Sequence, residues 1–262
     1  MARYKLTVEY EGTRYRGWQP QKNVRTVGGE IQRAIHDVCK TPTFEFQGSG
    51  RTDAGVHALG QVAHLEIATQ LAPDILRMKL NDLLPADISI LDLVRADARF
   101  HARHHAVSRS YLYQICRRRT ALGKRFVWWV KDPLNVRAMQ TAAKHFVGMH
   151  DFRSFTDDDP EEKSTKVEVE ELRVEERGDL IIVRMRGSHF VWKMVRRVVG
   201  VLAEVGRGAL PGAAVPRLLH EESDLPAQLT APPSGLFLER VYYKDEQLLT
   251  DLQPVTNISY ER

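Results

Sequence analysis

The sequence predicts an α+β protein made of two similar halves, each a mostly antiparallel sheet with helices on one face. Three observations carry that expectation. Apolar and polar residues alternate in several short stretches, the period of half-buried strands. Other stretches place apolar residues three and four apart, the period of a helix with one buried face. The two kinds of stretch run strand, helix, strand, strand, helix, strand, and they do so twice along 262 residues, an order that gives each half one sheet and one helical layer.

Residues 3–10 open the first half, with Tyr4, Leu6, Val8 and Tyr10 on one face and Arg3, Lys5, Thr7 and Glu9 on the other. Thr26 is placed to cap a helix on which Val27, Ile31, Ile35 and Val38 recur at helical spacing. A short strand at 44–47 leads into a glycine-rich stretch, after which Ala63, Leu65 and Ile67 alternate again. Pro73 suits the first position of a second helix, with Leu76, Leu80, Leu83 and Leu84 on its buried stripe. Residues 88–94, ISILDLV, close the half as a strand.

The second half begins with a strand at 109–116, RSYLYQIC. A helix follows from about Pro133 to Val147, with Gly148 placed as its C′ residue. Strands are expected near 166–175 and 179–186, then the longest helix at 189–205, burying Phe190, Met194, Val198, Leu202 and Val205. GLFLERVYY at 235–243 is the last strand. The boundary falls near 100–110, which divides the chain into 1–104 and 105–262. No residue-level repeat links the halves, and the acidic stretch DDDPEE at 157–162 reads as a solvated turn.

Composition bounds the function classes. Hydrophobic residues make up 43% and charged residues 27%, ordinary for a globular protein. The net charge is +4 and the isoelectric point about 9.1, weak support for an acidic partner such as nucleic acid. Cys39 and Cys116 fit no CxxC spacing, which argues against a disulfide framework and a thiolate zinc site. Residues 1–10 lack the apolar core of a signal peptide. The most apolar run, VVGVLA at 198–203, is far too short to span a bilayer. A soluble, cytoplasmic protein is expected.

The chemistry concentrates in GSGRTDAGVHALGQVAH at 48–64, with four glycines between Gly48 and Gly60 around Arg51, Asp53 and His57. No lysine completes a phosphate-binding P-loop, and the glycines do not fit GxGxxG. A purely structural turn is one reading. Asp53, His57 and His64 could also ligate a metal, with His101, His104 and His105 as a second cluster, but neither set has an obvious third and fourth ligand. No GxSxG supports a serine nucleophile. Asp53 remains as the one acid displayed on a shaped loop, and a carboxylate can act as nucleophile or base. In a partly dry pocket its pKa rises unless a cation lowers it. Arg196, beside Val195 and Val199 on the longest helix, is a candidate for that cation, and snorkelling to solvent is the alternative.

Tyr111 and Tyr113 share one face of their strand. Such a pair is usually core, but an aromatic side chain beside a catalytic group can stack on an extruded base. Arg117–Arg119, Lys124 and Arg125 lie just downstream, followed by Trp128 and Trp129, the mixture an RNA-tracking surface needs.

With these residues in view, the chain resembles the TruA-type tRNA pseudouridine synthases. GRTDAGVHA at 50–58 carries the most specific resemblance. YEGTRYRGWQ at 10–19, TVGGEIQ at 26–32, FHARHHAVSRSYLYQI at 100–115, GMHDFRSF at 148–155, FVWKMVRRVVGVLAEVG at 190–206 and APPSGLFLERVYY at 231–243 follow in family order. Departures from the usual pattern stand at Gly28, Tyr15 and Val191.

The resemblance implies two RRM/ferredoxin-like halves joined around a central RNA-binding cleft. It implies isomerisation of uridine at positions 38, 39 and 40 of the tRNA anticodon stem-loop by base flipping, with Asp53 as catalytic aspartate. It further implies that Tyr111 stacks on the target uracil, Arg196 pairs with Asp53, Arg51 fills the space left by the flipped nucleotide, and Leu236 walls the pocket. It implies a homodimer with one tRNA across both subunits, and no cofactor or metal. The rival expectations are an RNA-binding protein without catalysis and a metal-dependent hydrolase built on Asp53, His57 and His64.

Overall fold

The computed structural model describes residues 1–256 and 258. Among them the chain forms ten strands and six α-helices. In order these are β1 (Ala2–Tyr10), α1 (Val27–Cys39), β2 (Phe44–Gly48), β3 (His57–Ile67), α2 (Pro73–Leu83), β4 (Ile88–Arg95), β5 (Ala106–Cys116), β6 (Trp128–Trp129), α3 (Val136–Ala143), β7 (Gly148–Asp151), β8 (Lys166–Arg177), β9 (Leu180–Gly187), α4 (Met194–Arg207), α5 (Val215–His220), α6 (Leu225–Gln228) and β10 (Leu236–Tyr243). The fold is α+β, as the alternating stretches predict. Two compact units emerge, Met1–Val107 with Phe237–Glu246, and Ser108–Leu236 with Gln247–Arg262.

In the first unit the strands lie in the order β4, β1, β3, β10, and β2 also pairs with β3. β1 runs antiparallel to both β3 and β4, and β10 is parallel to β3 through Phe237↔His57 and Leu238↔Ala58. The expected alternation of β1 holds: Tyr4, Leu6 and Val8 are buried while Arg3, Lys5 and Thr7 are not. Thr26 caps α1, its hydroxyl accepting from the Gly29 amide at 3.2 Å. Val27, Ile31, Ala34 and Ile35 face the core. α2 begins at Pro73 and buries Leu76 and Leu80. Leu83 is a correction: it is 52% exposed, and Leu84 takes the buried side of that turn.

β3 is longer than the alternation suggested, starting at His57 inside the glycine-rich motif. Two fully buried polar side chains hide it. Gln61 accepts from Ser49 Oγ at 2.7 Å and donates to the Gly50 carbonyl at 3.1 Å. His64 bonds Glu45 through Nε2 at 2.9 Å and accepts from the Ala102 amide through Nδ1 at 3.2 Å. A buried polar residue with partners costs little, yet it breaks the apolar pattern.

The second unit has the strand order β5, β9, β8, β7, all neighbours antiparallel, with β6 parallel to β5. α3 packs on α4 and on β8. α4 is buried nearly all round, Val195, Val199 and Val201 included, so its stripe is wider than a single face. Helix α4 begins at Met194, not near 189, because Lys193 stands in the left-handed region at φ 64°. Phe190 therefore lies outside the helix. Its ring meets Tyr111 edge-on at 4.9 Å. The helix expected at 133–147 is shorter, capped by Asn135 and ending in a 3₁₀ turn at Lys144–Phe146. Gly148, at φ 107°, opens β7 and caps nothing.

β6, β7, α5 and α6 are two to six residues long, too short to show a period. The acidic stretch is also a correction. Asp157 pairs with Lys193 at 2.5 Å and with Arg197, and Asp158 with Lys163 at 2.7 Å, so it is partly a structural brace. The segment from Leu249 to Val255 is tied down by buried polar groups. Arg184, 1% exposed, donates to the carbonyls of Leu249 and Asp251 at 3.3 and 2.5 Å. The Gln114 side-chain Oε1 accepts from the Val255 amide at 2.7 Å. Among the described residues no helix is long and apolar enough to cross a membrane.

One glycine tests the packing of α4. A Cβ at Gly200 would sit 1.7 Å from the Leu229 carbonyl oxygen, so main chain must move to admit it. Gly→Ala inside a helix ordinarily stabilises by about 1 kcal/mol. Here Gly200→Ala is predicted to destabilise by about 1–3 kcal/mol, the cost of overpacking. Urea unfolding reads the sign directly, and a stabilised variant would contradict the packing.

Candidate active site

Asp53 stands in the loop between β2 and β3, half-buried, between a buried Thr52 and an exposed Ala54. What shapes this loop is its contact with the segment that follows β1. Tyr10 Oη and Thr52 Oγ1 share a buried hydrogen bond of 2.7 Å. The Trp18 amide donates to the Thr52 carbonyl at 3.2 Å, and the Gly55 amide to the Tyr15 carbonyl at 3.2 Å. Inside the loop the Val56 amide donates to the Asp53 carbonyl at 3.2 Å, and Gly55 takes φ 78°.

Two glycines make this approach possible. A Cβ at Gly12 would lie 1.9 Å from the Val56 carbonyl oxygen, and one at Gly17, itself at φ 89°, 2.4 Å from that of Thr52. Gly48 is similarly tight, with Trp18 Nε1 2.5 Å from the built position. Gly50 has nothing within 4 Å. Gly12 and Gly17 thus serve the fit of chain against chain behind Asp53. The departure Tyr15 joins the same support. It hydrogen-bonds Asp87, and burial first, then that bond, pushes its phenol well above the ordinary value.

His57 and His64 are core histidines. His57 is 1% exposed, accepts from the Gly12 amide at 3.0 Å and stacks on Phe237 at 4.8 Å. Both ring nitrogens of His64 are engaged by Glu45 and Ala102. His101 touches His64 and His104 at 4.7 and 4.2 Å, and its pKa is lowered by burial and by those neighbours. Among the described residues no three His, Cys, Asp or Glu side chains converge as a metal site. Arg51 is exposed on the same loop as Asp53.

In the second unit Tyr111 and Tyr113 do share a face of β5, but their settings differ. Tyr113 is fully buried and donates to the Pro232 carbonyl at 2.8 Å. Burial pushes its pKa well up, against the opposing charge of Arg196. Tyr111 is half-buried, opposite Met185 on β9, with its ring edge-on to Phe190. Arg196 is half-buried, and its Nε donates to the Ala231 carbonyl at 2.7 Å. Leu236 is buried at the start of β10, just after the 3₁₀ turn at Pro233–Gly235.

Sequence reasoning missed Arg197, the deeply buried arginine of the pair, whose partner Asp157 lay in the run read as a solvated turn. The basic run is also more structural than its pattern suggested: Arg117 pairs with Glu176 at 2.7 Å and Arg118 with Asp179 at 2.6 Å. Arg119 lies over the Trp129 ring at 5.9 Å.

The close fit behind Asp53 yields a paired prediction. Gly17→Ala should lose about 1–3 kcal/mol of stability through forced backbone shifts. Gly50→Ala should stay within about 0.5 kcal/mol, as surface changes do. Equal effects of the two substitutions in thermal unfolding would contradict the assigned contacts.

Comparison with known proteins now places the chain. The tRNA pseudouridine synthase family model matches residues 6–104 and 142–244. Arg51, Asp53, Arg196 and Leu236 lie within those stretches, and Tyr111 falls between them. The tRNA pseudouridine synthase A 2 of Bacillus anthracis is 39% identical over 246 residues, 93% of this chain and 100% of its own. The tRNA pseudouridine synthase A of Bartonella tribocorum is 38% identical over 255 residues with the same coverage, and that of Geotalea uraniireducens 40% over 245 residues. With matches that span both units at this level of identity, the chain belongs to the tRNA pseudouridine synthase family, isomerases that convert uridine to pseudouridine.

Proposed function

We propose that the chain isomerises uridine to pseudouridine at positions 38, 39 and 40 of the tRNA anticodon stem-loop, with Asp53 as the catalytic carboxylate. The observation that carries the reading is the family match over 6–104 and 142–244, which includes the loop holding Asp53. The half-buried setting of Asp53 supports it, because the backbone of its loop is braced by the segment that follows β1.

The reaction breaks the bond from C1′ to N1, turns the freed uracil and joins C1′ to C5. C5 gives up a proton and N1 takes one, so atoms balance without an added reactant or cofactor. The target uridine leaves the helical stack at a cost of a few kcal/mol, partly offset by stacking on Tyr111. Asp53 drives cleavage and rejoining of the glycosidic bond. Arg196 is the cation that pairs with that carboxylate. Arg51, exposed on the loop, takes the space that the flipped nucleotide leaves. Leu236 walls the uracil pocket. The working species is a homodimer with one tRNA across both subunits, acting in the cytoplasm.

A transcript labelled with tritium at C5 of uridine tests this reading. The wild-type protein should release label to water, and pseudouridine should map to positions 38, 39 and 40. Asp53→Ala should slow release by about a thousandfold or more, the scale of losing an essential catalytic group, while still binding tRNA. Release at the wild-type rate by the variant would remove Asp53 from the reaction, and tRNA binding with no release by wild type would favour a binding protein without catalysis.

A further inference from the structure

The start of α4 is held in an unusual way. Lys193, the residue before the helix, sits at φ 64° and ψ −1° and offers the helix no side-chain cap. That backbone region is unfavourable for a residue carrying a Cβ, so neighbouring contacts must hold it. Lys193 Nζ reaches Asp157 Oδ2 at 2.5 Å. The Trp192 amide donates to Asp158 Oδ2 at 2.9 Å. Within the first turn Arg197, 4% exposed, donates from Nη1 to the carbonyls of Ser154 and Thr156 at 3.3 and 2.7 Å and from Nη2 to Asp157.

Two cations that flank Arg196 in sequence therefore converge on one carboxylate. Burial by itself raises the Asp157 carboxyl, but the Lys193 hydrogen bond and the Arg197 charge outweigh it and hold the group below its ordinary range. Arg196 reaches outward from the same turn. Its Nε donates to the Ala231 carbonyl at 2.7 Å, and its own carbonyl accepts from the Ala231 amide at 3.1 Å. The guanidinium is thus placed by where the first turn of α4 begins and how that turn is rotated.

We propose that Asp157 is a positioning residue for uridine isomerisation: by clamping Lys193 and Arg197 it fixes the first turn of α4 and with it the guanidinium of Arg196. The inference rests on the role given to Arg196 above. It draws the acidic stretch at 157–162 into the working parts of the enzyme, although Asp157 touches neither substrate nor the reacting atoms.

Single-turnover tritium release and a separate tRNA-binding measurement test it on the full chain. Asp157→Asn should lower the release rate about tenfold, as a small misplacement of a catalytic partner does, with tRNA affinity within about twofold of wild type. Asp157→Glu, which keeps the charge, should recover most of the rate. In an Arg196→Lys background, Asp157→Asn should cost less than about twofold, because residues acting through one another are not additive. If Arg196→Lys alone keeps the wild-type rate, the role of Arg196 fails and the proposal goes with it. If Arg196→Lys is slow but Asp157→Asn costs the same tenfold in both backgrounds, the role of Arg196 stands and the proposal is overturned. A folded Asp157→Asn protein at the wild-type rate overturns it equally. Should Asp157→Asn unfold, Lys193→Gln replaces it under the same criteria, since Arg197 then keeps its carboxylate.

Discussion

The first unit depends on main chain lying directly against main chain. The segment after β1 passes so close to the loop before β3 that Gly12 and Gly17 cannot carry a side chain without striking the Val56 and Thr52 carbonyls. Hydrogen bonds from Trp18 to Thr52 and from Gly55 to Tyr15 close the same contact. Asp53 sits at the crest of this double layer. The catalytic role proposed for Asp53 needs a fixed approach to substrate, and backbone packing beneath the loop supplies such fixity in a region where loops are ordinarily mobile.

A second constraint runs through both units: buried polar side chains that serve as ties between segments distant in sequence. Gln61 holds the loop at Ser49 and Gly50. Arg184 gathers carbonyls at Leu249 and Asp251, and Arg197 those at Ser154 and Thr156. A buried guanidinium is costly unless it is paired; Arg197 is paired through Nη1 and Nη2 although its buried Nε has no hydrogen-bond partner, and each such residue commits its surroundings to one arrangement. The arrangement at α4 bears on the proposed function, since that helix also carries Arg196, the proposed partner of Asp53.

The strands and helices that the residue pattern announces well are those whose packing is simple. β1 and α1 each bury one regular face, and Thr26 caps α1 by its own side chain. The pattern failed where tertiary contacts overrode it. Lys193 delays the start of α4, held by its ion pair with Asp157 in a loop more than thirty residues away. Gly148 looks like a helix terminator and instead takes φ 107° at the start of a strand. β3 hides its first half behind His57 and Gln61, buried polar residues whose partners no local reading could supply. Within the candidate site, the motif around Asp53 was legible as a place for chemistry. The close backbone packing beneath it was not, because Gly12 and Gly17 belong to a different motif and meet the loop only in the fold. The buried arginine of the pair on α4 was likewise invisible, as spacing alone does not tell which of two neighbours turns inward.

Native-state hydrogen exchange tests the central claim, that the Asp53 loop is braced by the chain beneath it, most directly. The amides of Trp18, Gly55 and Val56 bond across or within that brace. They should exchange only through large-scale opening of the first unit, with protection close to that of β1 and β3. Exchange of these amides at the rate of an exposed loop, while β1 and β3 stay protected, would contradict the account.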